Sequence, residues 1–129
     1  MAQLRKGQVE EALEWLAELS RLEPDWDSYG ALSPAHQAVD QSRALIGLAV
    51  AQLGRRGVPH DIMPIADGGI ALEWRYPSVE LGLNARPEGG WTSLQVRSNA
   101  GGRRFDEAYD LSDDDALALL VRVVANAPA

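Results

Sequence analysis

The side chains best suited to chemistry in this chain are two histidines, His36 and His60, and several groups of carboxylates. A hydrolytic triad needs a histidine within hydrogen-bond reach of an activated serine. No G-x-S-x-G elbow occurs, because Ser28-Tyr29-Gly30 lacks the second glycine. His60-Asp61 invites a metal reading, but the other histidine lies far upstream and no H-E-x-x-H spacing supports it. Asp113-Asp114-Asp115 form a carboxylate run able in principle to hold a divalent cation. On a helix, consecutive side chains diverge by about 100°, so the three cannot converge on one ion. Capping and the helix dipole account for them instead.

Asp25-Trp26-Asp27 has the D-x-D form of a metal–phosphate motif without the basic cluster such a site needs. Asp67-Gly68-Gly69, Glu88-Gly89-Gly90 and Gly101-Gly102 each precede strand-like sequence, so they read as turns and not as phosphate-binding loops. Arg97, Arg103 and Arg104 form a small basic group, opposed by six acids between Asp106 and Asp115. No metal and no cofactor is expected. Asp27, Asp67 and Glu73 are what remains for a carboxylate-dependent enzyme as the alternative reading.

These residues must be held by elements that the hydrophobic period reveals. Val9, Ala12, Leu13, Leu16, Leu19 and Leu22 recur at three- and four-residue steps, which predicts a helix over Gln8 to Leu22 ended by Pro24. Ser33 as N-cap and Pro34 as first residue predict a second helix, carried by Ala38, Val39, Ser42, Leu45, Ile46, Ala49 and Val50 and stopped at Gly54 or Gly57. Residues 57–69, with Pro59 and Pro64, are expected to be irregular. The period then switches to two. Ile70, Leu72, Trp74 and Tyr76, then Val79, Leu81 and Leu83, predict a hairpin with one wet face, on which Glu73 lies. A third strand over Trp91 to Ser98 and a fourth over Arg103 to Tyr109 follow. Ser112 opens a last helix that is apolar nearly all round, either buried between sheet and helix or offering a surface to a partner. The expected fold is α+β in a single domain of 129 residues: two N-terminal helices, a three- to four-stranded antiparallel meander, and a C-terminal helix packed on the sheet.

Composition narrows the function classes. The 46% hydrophobic content supports a packed core. The absence of cysteine removes thiol nucleophiles, disulfides and Cys-based metal sites. With 19 acidic against 12 basic residues, the net charge of -7 argues against a nucleic-acid surface. Apolar runs of about ten residues fall short of the roughly 20 a membrane span requires. No apolar stretch follows Arg5 and Lys6, so no secretory leader is expected and a cytoplasmic address is the default.

The most distinctive segments are Trp26-Asp27-Ser28-Tyr29-Gly30-Ala31 and Asp67-Gly68-Gly69-Ile70-Ala71-Leu72-Glu73-Trp74. With the Pro-rich stretch between them, they resemble a family of small bacterial and phage proteins marked by W-D-[GS]-Y-G-A and D-G-G-[IV]-x-L-E-W. The resemblance covers about residues 10–85 and implies the helix-helix-sheet order and a bacterial or phage origin, but no reaction. Physically, Trp26 and Tyr29 are expected to cover the end of the core, with Asp27 capping a turn, Gly30 at positive φ and Trp74 packed beneath. The functional alternative makes Trp15, Trp26, Asp27 and Tyr29 an aromatic anchor with an acidic rim. Acidity is concentrated in two segments, seven acids between Glu10 and Asp27 and six between Asp106 and Asp115. The candidate partner-binding acids of the second are Asp106, Glu107, Asp110, Asp113 and Asp114. The expected function is a non-catalytic protein-binding module: an inhibitor, antitoxin or adaptor for a protein with a basic surface, with homodimerisation through the last helix as a further reading. Phage inhibitors of bacterial defence nucleases are the analogy.

Overall fold

The computed structural model describes residues 6–99, 102–105 and 109–127. Helix α1 (Lys6–Leu19) buries Ala12, Leu16 and Leu19 and turns Glu10, Glu11, Glu14 and Glu18 outward. It stops before the expected Leu22, because the chain tightens: the amides of Arg21 and Leu22 donate to the carbonyls of Glu18 and Leu19 at 3.0 and 3.2 Å.

Helix α2 (His36–Leu53) begins later than the expected Ser33-Pro34 start, with Ala35 at the N-cap and no side-chain cap. Residues 32–35 run extended along the turn that precedes the second strand. Leu32 and Ala35 donate their amides to the carbonyls of Ala66 and Gly68 at 2.9 and 2.8 Å. A tertiary contact thus holds the chain where Ser33 was expected to cap it. Gly54 closes the helix at φ 62, as expected, and a short 3₁₀ turn (Gly54–Gly57) follows. Gly57 lies so close to α2 that a Cβ there would sit 2.4 Å from the Ala49 carbonyl oxygen.

The sheet is antiparallel and larger than the three or four strands expected. Strands β1 (Asp61–Pro64), β2 (Ile70–Arg75), β3 (Val79–Ala85), β4 (Trp91–Asn99) and β5 (Gly102–Phe105) lie in that order. The short β6 (Tyr109–Leu111) also pairs with β4, at its Trp91–Ser93 end, while β5 pairs at the Val96–Asn99 end. β1 lies inside the segment expected to be irregular. Its four residues are too few to show alternation, and Pro64 is tolerated because β1 is an edge strand. Of the fourth expected strand, Arg103 to Phe105 lie in β5 and Tyr109 opens β6, while residues 106–108 lie outside the described residues.

Register fixes the two faces. Ile70, Leu72 and Trp74 align with Ala85, Leu83 and Leu81, which align with Trp91, Ser93 and Gln95. All nine are buried under the helices. α1 lies against β1, α2 against β2 and β3, and α3 (Asp113–Asn126) against α2, β3, β4 and β6. The opposite face carries Met63, Glu73, Arg75, Glu80, Asn84 and Leu94, and none of the helices among the described residues lies on it. Among the described residues, no helix is long and apolar enough to cross a membrane.

Helix α3 turns one stripe of its apolar sequence into the core. Ala116, Leu120, Val123 and Val124 are buried, and no α3 side chain ranks among the exposed large hydrophobics. Leu117, Leu119 and Val121 flank this stripe and are half-buried. Ser112 is its N-cap as expected, the Oγ accepting from the Asp115 amide at 3.2 Å. Ser112→Ala should therefore lose about 1 kcal/mol, the usual worth of such a cap. Ser33→Ala, which removes no cap, should stay within about 0.5 kcal/mol. Urea unfolding of both variants checks the pair.

Candidate functional site

The loop between α1 and α2 is built from its acids. Asp27 Oδ1 accepts from the amides of Tyr29 and Ala31 at 2.9 and 3.1 Å. Asp25 Oδ1 accepts from the Gly30 amide at 2.7 Å, while its own amide donates to the Ala31 carbonyl at 2.7 Å. The Trp26 indole donates to the Leu32 carbonyl at 2.9 Å. Asp27 thus caps the turn and Gly30 takes φ 84, both as expected. Asp25 and Ser28 also take positive φ, 67 and 64, a conformation that few non-glycine residues adopt without being held there.

Tyr29 does not cover the core. It stands 92% exposed at the loop tip, and Leu32 beside the loop is also exposed. Trp74 is not beneath it either. The loop segment joins the sheet at Ala66 and Gly68, ahead of β2, whereas Trp74 lies toward the far end of β2 and donates to the Gly57 carbonyl at 3.1 Å. The correction has a simple cause: hydrogen bonds close the loop on itself, so the Tyr29 ring is not needed to hold it.

The second acidic segment is partly engaged internally. Asp113 Oδ1 accepts from the Trp91 indole at 2.7 Å, and Asp110 pairs with Arg86 at 3.1 Å. Asp114 is exposed, and Asp106 and Glu107 lie outside the described residues. The catalytic alternatives do not converge. Asp67 Oδ1 accepts from the Gly69 amide at 2.8 Å as a turn cap, Asp27 holds its own loop, and Glu73 lies on the helix-free face opposite Asp61. Among the described residues, no three His, Cys, Asp or Glu side chains gather as metal ligands.

Trp15 belongs to a different place. It lines a cleft of about 710 Å³ between α1, the 3₁₀ turn and β1, with Gln8, Glu11, Arg55, Arg56 and His60. Its indole donates to the Ile62 carbonyl at 2.8 Å, which covers part of the free edge of β1. Arg56 donates to the Ala127 carbonyl at 2.6 Å and lies 5.2 Å from the centre of the Tyr76 ring. Tyr76 in turn donates to the Arg56 carbonyl at 3.2 Å and meets His60 edge to face at 5.4 Å. Asp61 is paired with Arg75. This cleft was not anticipated from sequence. Its one signal is Arg55-Arg56, two adjacent cations between glycines in an acidic chain.

His60 Nδ1 accepts from the Arg75 amide at 3.0 Å, so the neutral ring carries its proton on Nε2. Partial burial, reinforced by the Arg75 charge and opposed by Asp61, holds this imidazole below its ordinary value of 6.5. The unfolded chain therefore binds the proton more readily than the folded one, and stability falls as pH drops through 6.5 towards the lower folded value. Melting temperatures should decline over that window, and His60→Asn should decline less. Equal declines in both proteins would remove His60 as a source.

Comparison with protein-family models, with curated proteins and with solved structures found no match for this chain.

Proposed function

We propose that this chain is a small, non-catalytic protein-binding module, an inhibitor, antitoxin or adaptor, that docks through the Tyr29 loop on a partner with a basic surface. The observation that carries this reading is a 92% exposed tyrosine on a loop held by its own hydrogen bonds, with two non-glycine residues at positive φ. A tyrosine presented on a backbone already held in place spares the entropy of ordering the loop on binding, and exposed aromatics of this kind are typical interface anchors. Glu18, Glu23, Asp25 and Asp27 surround it in sequence with Arg21 as the one cation, so a basic partner gains on-rate and selectivity. The carboxylate-enzyme alternative is weaker, since two of its three acids serve as turn caps.

The test is affinity capture from a bacterial host extract with the wild-type chain and Tyr29→Ala side by side. A protein retained by the first and lost by the second, at equal stability of the two baits, supports the reading. Retention by both, or by neither, overturns the assignment to this loop.

A further inference from the structure

We propose that the cleft between α1, the 3₁₀ turn and β1 binds a small planar heteroaromatic anion of the nucleoside-monophosphate type, its ring stacked on Trp15 and its anionic end on Arg55. The site lies apart from the Tyr29 loop and does not depend on its role.

The cleft's two walls differ in hydrogen-bonding character. Gln8, Glu11 and Trp15 recur at three and four residues, so one face of α1 sets two acceptor-bearing side chains and an aromatic ring along the cleft. From Gln8 to Trp15 the helix rises about 10 Å, close to the length of a mononucleotide. The opposite wall supplies donors: Arg55, the remaining guanidinium N–H groups of Arg56, and the Nε2–H of His60.

Three details select the ligand class. The Trp15 N–H is already engaged on Ile62, which fixes the ring, and the residue as a whole is 47% exposed, so the ring face is the contact left to a ligand. Stacking on such a face tolerates any base. Arg55 is exposed and has no ion-pair partner among the described residues, while the acid nearest the donor wall, Asp61, is neutralised by Arg75. Glu11, exposed on this wall, is an acceptor for ribose hydroxyls or base N–H groups. A plain aromatic carboxylate would leave that wall unused. The volume falls within the range of small-ligand sites, and the net charge of -7 disfavours a polynucleotide.

Titration of the intact protein with AMP, GMP, CMP and UMP, followed by tryptophan fluorescence and calorimetry, tests this. At least one should bind saturably and quench emission, with the matching uncharged nucleoside at least tenfold weaker. Arg55→Ala should weaken binding at least tenfold, and Trp15→Ala should abolish the quenching. Arg43→Ala, an exposed cation on α2 paired with Asp40, should leave both unchanged. Because Trp15→Ala also removes the bond to Ile62, its folding is checked by circular dichroism, and the exposed Arg55 variant decides the matter if Trp15→Ala unfolds. No saturable binding of any of the four nucleotides at millimolar concentration overturns the proposal. So does binding that Arg55→Ala leaves intact, or tighter binding of indole-3-acetate than of every nucleotide.

Discussion

Replacing Trp74 by alanine is expected to cost about 3–5 kcal/mol, the usual range for removing a large aromatic from a core. Trp74 is fully buried on the helix-covered face of β2, paired in register with Leu81. Its indole N–H is satisfied by the Gly57 carbonyl, and Gly57 is the residue that lets the 3₁₀ turn press against α2. Truncation would open a cavity and strand that carbonyl in one step, and the turn that depends on both would loosen. For a chain of this size each kcal/mol corresponds to about 3–5 °C, so the melting temperature should fall by at least about 10 °C. Trp74→Phe, which keeps most of the volume and loses only the donor, should lie between the two. Calorimetric melting of the three proteins checks the order, and a loss under about 1 kcal/mol for the alanine variant would mean the core closes around the gap.

Tyr29→Ala is expected to do the reverse: no measurable change in stability and a large loss of partner binding. At 92% exposure the ring contributes almost nothing to the core, so the unfolding free energy should move by less than about 0.5 kcal/mol. Anchors of this kind carry about 2 kcal/mol or more at an interface, which corresponds to roughly 30-fold in affinity. The loop should keep its shape, because its hydrogen bonds run through the Asp25 and Asp27 carboxylates, the backbone and the Trp26 indole, not through the tyrosine ring. Surface plasmon resonance against the captured partner, with melting temperatures alongside, separates the two effects. A Tyr29→Ala protein that melts early would show that the ring is structural after all.

The sequence was most informative where a pattern repeats often enough to be periodic. The apolar steps from Val9 to Leu19 placed α1, alternation placed β2 and β3 with Trp74 inward and Glu73 outward, and Ser112 marked the start of α3. It was least informative for short or externally held pieces. β1 has four residues, so alternation had no length in which to appear, and it forms because β2 offers it an edge. The start of α2 moved from Ser33 to His36 because the β1–β2 turn supplied hydrogen-bond partners that no local propensity encodes.

The candidate sites divide in the same way. Local chemistry correctly assigned Asp27 to a turn and Gly30 to positive φ, since both depend on neighbours within five residues. Whether Tyr29 faced the core or solvent was not a local matter. Nor was the separation of Trp15 from Trp26 and Tyr29, which sequence proximity had grouped into one patch.

By itself, then, the chain determined its class, its helical and alternating stripes, its excess acid and the absence of thiol chemistry, because these follow from residue type and short-range spacing. Only the tertiary structure decided which aromatic was left in solvent, which stripe of α3 enters the core, and that Arg55, His60 and Trp15 share a cleft. Those outcomes depend on long-range pairings, Trp15 with Ile62 and Trp74 with Gly57 among them. Such pairings exist only once the sheet has set its register.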